Sequence, residues 1–121
     1  MAAATPEQIR DFFHLQIELW NAQNIDAFLA AFHAIATGGF RVEDPVGSAN
    51  KDGWPVLEEL CRVYKGWHME IINFIVNGKH AAAHIKNTGV FDGKPITAHS
   101  IETYVFEDDG SMLARYYHPP H

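Results

Sequence analysis

Three features are scarce in this sequence, and each scarcity excludes a class of protein. Cysteine occurs once, at Cys61, so no intrachain disulfide can form and a reducing compartment is expected. Lysine and arginine number 9 against 15 acidic residues, and the formal charge of −6 argues against binding to nucleic acid or to anionic membranes. No apolar run approaches membrane-spanning length, and the first residues lack the basic and apolar segments of a signal peptide. These absences predict a soluble cytoplasmic protein.

Sequence motifs for cofactors and metals are missing as well. The sequence contains no phosphate-binding loop, dinucleotide-binding fingerprint, zinc-protease motif or nucleophile elbow. His80 and His84 lie on one face of a predicted strand but about 13 Å apart, too far to share one ion. His118 and His121 flank two prolines close to the C terminus. We therefore expect no metal site and no cofactor.

What is present indicates a globular chain with one substantial core. The 121 residues are 47% hydrophobic and include 8 phenylalanines, so residues 1–121 are expected to form a single domain. Thr5 followed by Pro6 predicts the start of a first helix, Asn24 can cap a second, and Asp52 or Gly53 a third. Apolar residues at helical spacing form the predicted inner faces, which are Ile9, Phe12, Phe13, Ile17 and Trp20, then Ile25, Phe28, Leu29 and Phe32, then Leu57, Leu60, Cys61 and Tyr64.

The second half of the sequence has the pattern of strands. Four long strands follow Gly66 and are separated by the turn signals Asn77-Gly78, Asp92-Gly93 and Asp108-Asp109-Gly110. One short strand lies earlier, where Phe40 and Val42 alternate with charged residues. Because consecutive strands joined by tight turns form an antiparallel meander, the sequence predicts an α+β fold with three N-terminal helices packed on one face of a curved antiparallel sheet.

Two polar residues lie within the predicted hydrophobic patterns. Gln16 is in the middle of the first helix's apolar stripe, where it either bonds to a backbone group or points into a pocket. Glu102 shares a strand face with Ser100 and Tyr104, while His99 is on the opposite face. Both faces of that strand carry polar as well as apolar residues, so alternation does not decide which face is buried. If Glu102 faces inward, burial raises its pKa and can keep it protonated near neutral pH; otherwise it is a solvated or ion-paired residue.

The segment Val42-Glu43-Asp44-Pro45-Val46-Gly47-Ser48 predicts a strand that runs into a turn. Asp44 lies where the strand ends, so it either begins the turn or presents a carboxylate to a cavity. The segment resembles the Δ5-3-ketosteroid isomerases of the nuclear-transport-factor-2-like, or SnoaL-like, superfamily, which carry Val-Glu-Asp-Pro, then Val or Phe, then Gly, often followed by Ser. The resemblance extends over nearly the whole chain, with a short excess at residues 34–39. It implies a cone-shaped, cystatin-like α+β fold, a homodimer and proton transfer next to a carbonyl group.

The resemblance also implies a role for individual residues. Asp44 matches the family's general base, and Glu102 falls where the family has an aspartic acid that donates to the substrate oxygen. Gln16 falls where the family has its principal oxyanion-hole tyrosine, and Phe32 and Cys61 where some members have supporting tyrosines. The base is therefore kept, one donor has an extra methylene, and the main phenol is replaced by an amide. This departure affects the isomerase reaction more than the fold.

We predict that Gln16, Asp44 and Glu102 open into one pocket between the helices and the concave face of the sheet. Three functions fit this prediction. The first is an acid–base enzyme on a small apolar carbonyl compound, with steroid isomerisation the named case. The second is a polyketide-cyclase-like or dehydratase-like enzyme using a carboxyl group and a histidine such as His99, and the third is a non-catalytic binding or dimerisation domain. The predicted pocket walls are Trp20, Phe32, Leu57, Cys61, Tyr64, His99 and Tyr117.

The third long strand, which carries Glu102, has a second face that predicts a partner. It carries Thr97, Ile101 and Val105, an apolar set that would be unusual if fully exposed. We expect a homodimer that buries this face.

Overall fold

A computed structural model describes residues 4–43 and 50–117, which form three helices and six strands. Asp44 therefore lies outside the described residues, as do His118 and His121. None of the helices in the described ranges is long and apolar enough to cross a membrane. In chain order the elements are α1 (Pro6–Asn21), α2 (Ile25–Ile35), β1 (Gly39–Glu43), β2 (Asn50–Asp52), α3 (Gly53–Val63), β3 (His68–Asn77), β4 (His80–Phe91), β5 (Lys94–Phe106) and β6 (Ser111–Tyr117).

The three helices begin where the sequence predicts. Thr5 and Gln8 form a capping box at the start of α1, in which the Thr5 side chain accepts from the Gln8 amide at 3.2 Å and the Gln8 side chain accepts from the Thr5 amide at 2.9 Å. Asn24 caps α2, and Asp52 rather than Gly53 caps α3. Each cap satisfies backbone donors that a helix start would otherwise leave unpaired.

The strands form one sheet in the order β2-β1-β6-β5-β4-β3. The long strands β3 to β6 pair as the predicted antiparallel meander, and the α+β fold class is confirmed. The prediction of a wholly antiparallel sheet is wrong, because β1 pairs parallel with β6, from Gly39 opposite Ser111 to Glu43 opposite Arg115. The three-residue strand β2 was also missed, since so short a segment shows no periodicity in the sequence.

The hairpin turns fix which residues face each other. Asp92 and Gly93 both have positive φ, 53° and 76°, as a type I′ turn requires, and they connect β4 to β5 as predicted. The preceding turn begins one residue later than predicted, because Asn77 pairs with His80 and the loop is Gly78 and Lys79. With these registers, the even-numbered residues of β5 from Ser100 onward are buried.

The core lies between the helices and this inner face of the sheet, and it is rich in aromatic rings. Phe13 of α1 stacks on Phe74 of β3 at 4.3 Å between ring centroids. Phe12 meets Phe32 of α2 at 4.9 Å and Phe106 of β5 at 6.3 Å, both edge-on. The helices therefore cover the inner face of the sheet with apolar side chains.

Candidate functional site

Glu102 is a buried carboxyl group on the inner face of the sheet. Its side chain belongs to the same face of β5 as Ser100 and Tyr104, and the whole residue is 9% exposed. Burial raises the pKa of Glu102 to about 7, against a hydrogen bond from Tyr104 that lowers it. The inward orientation left open by the sequence is therefore the one found. A carboxyl group with this pKa can hold or release a proton near neutral pH.

A tyrosine pair completes the polar cluster around Glu102. The Tyr104 hydroxyl donates a hydrogen bond to Glu102 Oε1. Tyr116 of β6 lies directly opposite Glu102 in the sheet and is hydrogen-bonded to Tyr104. Burial, reinforced by the charge of Glu102, raises the pKa of both tyrosines far above neutrality. Both phenols therefore remain protonated and serve as hydrogen-bond donors.

Gln16 is buried on the inner face of α1, as predicted, with 3% of its surface exposed. One turn earlier on the same helix, Phe13 packs edge-on against the Tyr104 ring at 5.8 Å. Gln16 and Glu102 therefore face the same core layer from opposite sides, one from the helices and one from the sheet. Asp44, the predicted base, lies outside the described residues.

Several of the predicted wall residues lie in this core. Trp20, Phe32, Leu57 and Cys61 are buried, and the Trp20 indole donates to the Trp67 carbonyl at 2.7 Å. Burial, together with the charge of Glu58, raises the pKa of the Cys61 thiol to about 11. Cys61 is therefore a neutral core thiol rather than a nucleophile.

Tyr64 is partly buried at the end of α3. It packs edge-on against Trp67 at 5.3 Å.

Two of the residues predicted to line the pocket do not face the core. His99 is exposed on the opposite face of the sheet, where its Nδ1 is 2.8 Å from Nε2 of His84. Tyr117 pairs with Ile101 on that same outer face and is 37% exposed. The physical reason is the two-residue period of strands, which turns residues 99 and 117 outward once residue 102 points inward. Tyr116 is the inward tyrosine of β6.

Tyr104 and Tyr116, which form the polar cluster with Glu102, are not among the site residues predicted from the sequence. A signal for Tyr104 was available, since a residue two positions after Glu102 shares its face. Tyr116 could be found only through the register between β5 and β6. That register depends on the intervening turn, in which Glu107 bonds to Ser111 and Gly110 to Glu107.

Possible metal ligands do not cluster in the part of the chain that the structure describes. Residues 4–43 and 50–117 contain no group of three or more histidine, cysteine, aspartate or glutamate side chains that could hold an ion. The two-histidine pair of His84 and His99 is therefore too small to be a centre of this kind.

Comparisons with known proteins give a family and a fold. The family model described as SnoaL-like domain matches residues 9–115. A search of curated proteins gives no significant match.

Three solved structures illustrate the likeness in fold. A protein from Jannaschia sp. CCS1 named as a SnoaL-like polyketide cyclase is 18% identical, with a TM-score of 0.70 over 94% of this chain and 86% of that one. SalBIII, an epoxide hydrolase/cyclase-like enzyme of pyran ring formation in polyether salinomycin, is 15% identical, with a TM-score of 0.69 over 91% and 89%. An epoxide hydrolase of M. tuberculosis, described as LEH-like, is 18% identical, with a TM-score of 0.66 over 95% and 84%.

Identities this low establish the fold alone. They confirm the predicted nuclear-transport-factor-2-like architecture, while the narrower resemblance to ketosteroid isomerases stays a prediction. Any chemistry of this chain therefore depends on the residues around Glu102.

Proposed function

The chain belongs to the SnoaL-like domain family, and we propose that it is an acid–base enzyme that closes a ring in a small apolar carbonyl compound of the polyketide kind. The observation that carries this proposal is Glu102, a buried carboxyl group on the inner sheet face whose pKa is raised by burial to about 7 and whose Oε1 accepts from Tyr104. Two structural relatives, one named as a polyketide cyclase and the other as an enzyme of pyran ring formation, favour ring closure over other acid–base reactions.

The proposed reaction is an intramolecular aldol-type closure. A base removes a proton from the carbon next to one carbonyl, and the resulting carbanion attacks the carbon of a second carbonyl in the same molecule. Glu102, in its neutral form, gives its proton to the oxygen that becomes negative as the new carbon–carbon bond forms. Asp44 is the proposed base, and it is protonated when the step ends. Proton exchange with water then restores both carboxyl groups.

The surroundings of Glu102 suit such a substrate. Phe12, Phe32 and Phe106 are buried in the same core as Glu102, where the Phe12 ring packs edge-on against the other two. An environment of low polarity strengthens hydrogen bonds to a developing negative charge. It also favours apolar ligands over charged ones.

Steroid isomerisation is the second candidate function. It is favoured by the Val42–Ser48 segment and by the inward position of Glu102, which matches the oxygen-binding acid of that family. Asp44 would take a proton from C4 of a Δ5-3-ketosteroid and return it at C6, while Glu102 and Gln16 hold the dienolate oxygen. Because an amide is a weaker donor than the phenol it replaces, we expect slow turnover.

The test uses two substrates and three variants. A linear triketide ester that forms a ring by aldol closure tests the first function, and 5-androstene-3,17-dione tests the second, each followed by the absorbance of its conjugated product. With the substrate that is turned over, Glu102→Gln and Asp44→Asn should each lower kcat by roughly 10²–10³-fold. His99→Gln on the outer face is the matched control and should leave kcat unchanged.

The outcomes separate the three functions predicted from the sequence. Turnover of the triketide ester alone supports the cyclase, and turnover of the steroid alone supports the isomerase. Equal rates for wild type, Glu102→Gln and Asp44→Asn would show that any product arises without the enzyme. In that case a non-catalytic binding domain becomes the preferred function.

We also propose that a second copy of the chain covers the outer face of the sheet. Ile75 is 59% exposed on this face, Ile101 is 53% exposed, and Tyr117 lies beside Ile101. Large apolar side chains grouped on one sheet face are typical of an interface rather than of a solvated surface. A twofold axis through the sheet would bury the same patch on both copies.

A further inference from the structure

Tyr104 is a buried phenol whose hydroxyl contacts a single carboxyl oxygen of Glu102. It lies two residues after Glu102 on β5, so both side chains point to the inner face, and only 2% of Tyr104 is exposed. The hydroxyl donates to Oε1. The contact therefore links two residues of one strand, and its geometry does not depend on how separate elements move.

Three aromatic neighbours pack against the Tyr104 ring. Phe13 packs edge-on at 5.8 Å, Tyr116 edge-on at 6.3 Å, and Phe106 at 6.3 Å with 32° between the planes. Packed rings of this kind restrict rotation about the side-chain bonds. The hydroxyl is consequently fixed relative to the strand that carries Glu102.

A second phenol supports the first. Tyr104 is also hydrogen-bonded to Tyr116. A hydroxyl has one hydrogen to donate, and the hydrogen of Tyr104 goes to Glu102, so the Tyr104 oxygen accepts from Tyr116. Hydrogen bonds arranged in such a chain polarise one another, which makes Tyr104 a stronger donor to the carboxyl group.

This contact distinguishes the two oxygens of Glu102. In a neutral carboxyl group, the oxygen that accepts a hydrogen bond is the carbonyl-type oxygen, and the proton is on the other one. We infer that Tyr104 is a positioning residue for Glu102: by occupying Oε1, its hydroxyl leaves Oε2 as the oxygen that presents the transferable proton. The catalytic meaning of this role rests on the proposed function, whereas the contact itself does not.

The contact also affects when Glu102 is protonated. A hydrogen bond donated to the ionised carboxylate favours that form, so the Tyr104 hydroxyl lowers the pKa of Glu102 while burial raises it. Removing the hydroxyl without removing the ring leaves only the effect of burial. The neutral acid should then persist to higher pH.

The experiment measures the protonation of Glu102 directly. The full chain is labelled with ¹³C at the side-chain carboxyl of glutamate, and the Glu102 signal is identified by its absence in Glu102→Gln. In the wild type the signal should titrate with a midpoint of about 7. In Tyr104→Phe the midpoint should rise by about one pH unit or more. Tyr117→Phe, which removes a phenol from the outer face of the same sheet, should leave the midpoint unchanged.

Each possible result either supports the inference or overturns it. A midpoint in Tyr104→Phe that is equal to or below that of the wild type would overturn it, and so would an equal rise in Tyr117→Phe. If circular dichroism shows that Tyr104→Phe does not fold, Tyr116→Phe replaces it. That variant should give a smaller rise, since it removes the supporting donor, and an unchanged midpoint there would overturn the inference as well.

Turnover provides a second readout that separates this inference from the proposed function. If Glu102 acts as an acid, the rate falls as Glu102 ionises, and Tyr104→Phe should shift that alkaline limb to higher pH by the same amount as the NMR midpoint. A wild type without any turnover would contradict the proposed function and leave the NMR result standing. Turnover with an unshifted alkaline limb would contradict the positioning role alone.

Discussion

The two faces of β5 carry ionisable side chains that experience opposite environments. On the inner face, Glu102 is covered by the helices and bonded to Tyr104, and burial raises its pKa to about 7. On the outer face, only three residues away, His99 is exposed and bonded to His84. The residue types alone would favour the histidine, since histidine is the side chain most often used in acid–base catalysis. The helix layer reverses that preference, because it covers only the inner face and burial there raises the pKa of Glu102 to about 7.

The largest expected effect compares one residue type on the two faces. Ile85 of β4 is fully buried on the inner face, and Ile101 of β5 is 53% exposed on the outer face. Ile85→Ala should lower the free energy of unfolding by about 2–5 kcal/mol, because it leaves a cavity in the core. Ile101→Ala should change it by less than about 0.5 kcal/mol in the monomer. Urea denaturation of both variants at low protein concentration measures the contrast, and equal losses would contradict the assignment of the two faces.

The second prediction concerns how stability depends on pH. The pKa of Glu102 in the folded chain, about 7, lies above the ordinary value of 4.5, so the folded state holds this proton to higher pH than the unfolded state does. The resulting stabilisation is complete below about pH 4.5 and is lost as the pH rises through 7, a change of about 3 kcal/mol. Relative to Glu102→Gln, the wild type should therefore lose about that amount between pH 4.5 and pH 8.

Denaturation of the wild type and of Glu102→Gln at several pH values checks this second prediction. Taking the difference between the two proteins removes the contribution of every other titrating group they share. A difference that stays constant from pH 4.5 to pH 8 would show that Glu102 has the same pKa in both states. The proposed reaction would then lack a buried acid that is neutral near pH 7.

Much of the fold was predictable because its signals are local. Thr5, Asn24 and Asp52 cap helices through side chains that contact the next few residues. Asp92-Gly93 sets its hairpin by the backbone angles of two adjacent residues. Such features depend on short segments, and composition and spacing report them well.

The parts that sequence reasoning missed depend on distant segments. The parallel pairing of β1 with β6 joins residues about seventy positions apart, and no local pattern encodes it. The inward position of Tyr116 rather than Tyr117 depends on the register between β5 and β6, and a shift of one residue exchanges the faces. The positions of Tyr104 and His99, by contrast, follow from the two-residue period of β5 once Glu102 is known to point inward.

The third prediction tests whether the outer face is an interface. Ile101→Lys places a charge in the middle of the exposed apolar patch, and burying an unpaired charge against a second copy is costly. The dissociation constant of the dimer should rise by at least about 100-fold. Leu15→Lys is the control, because Leu15 is a similarly exposed aliphatic residue, 46%, on α1. Sedimentation equilibrium should give a dimer for the wild type and Leu15→Lys, and a monomer for the wild type would contradict the proposed interface.

The smallest expected effect concerns the histidine pair of the outer face. If water reaches His84 and His99, His99→Gln should change the free energy of unfolding by less than about 0.5 kcal/mol, since solvent replaces the lost hydrogen bond. A second copy that covers the pair would change this result, because a buried donor left without a partner costs more than an exposed one. Measuring His99→Gln in the wild type and in the Ile101→Lys background therefore separates the two cases. A larger loss in the dimer places the histidines inside the interface, whereas equal small losses place them outside it and confine the interface to the apolar patch around Ile101.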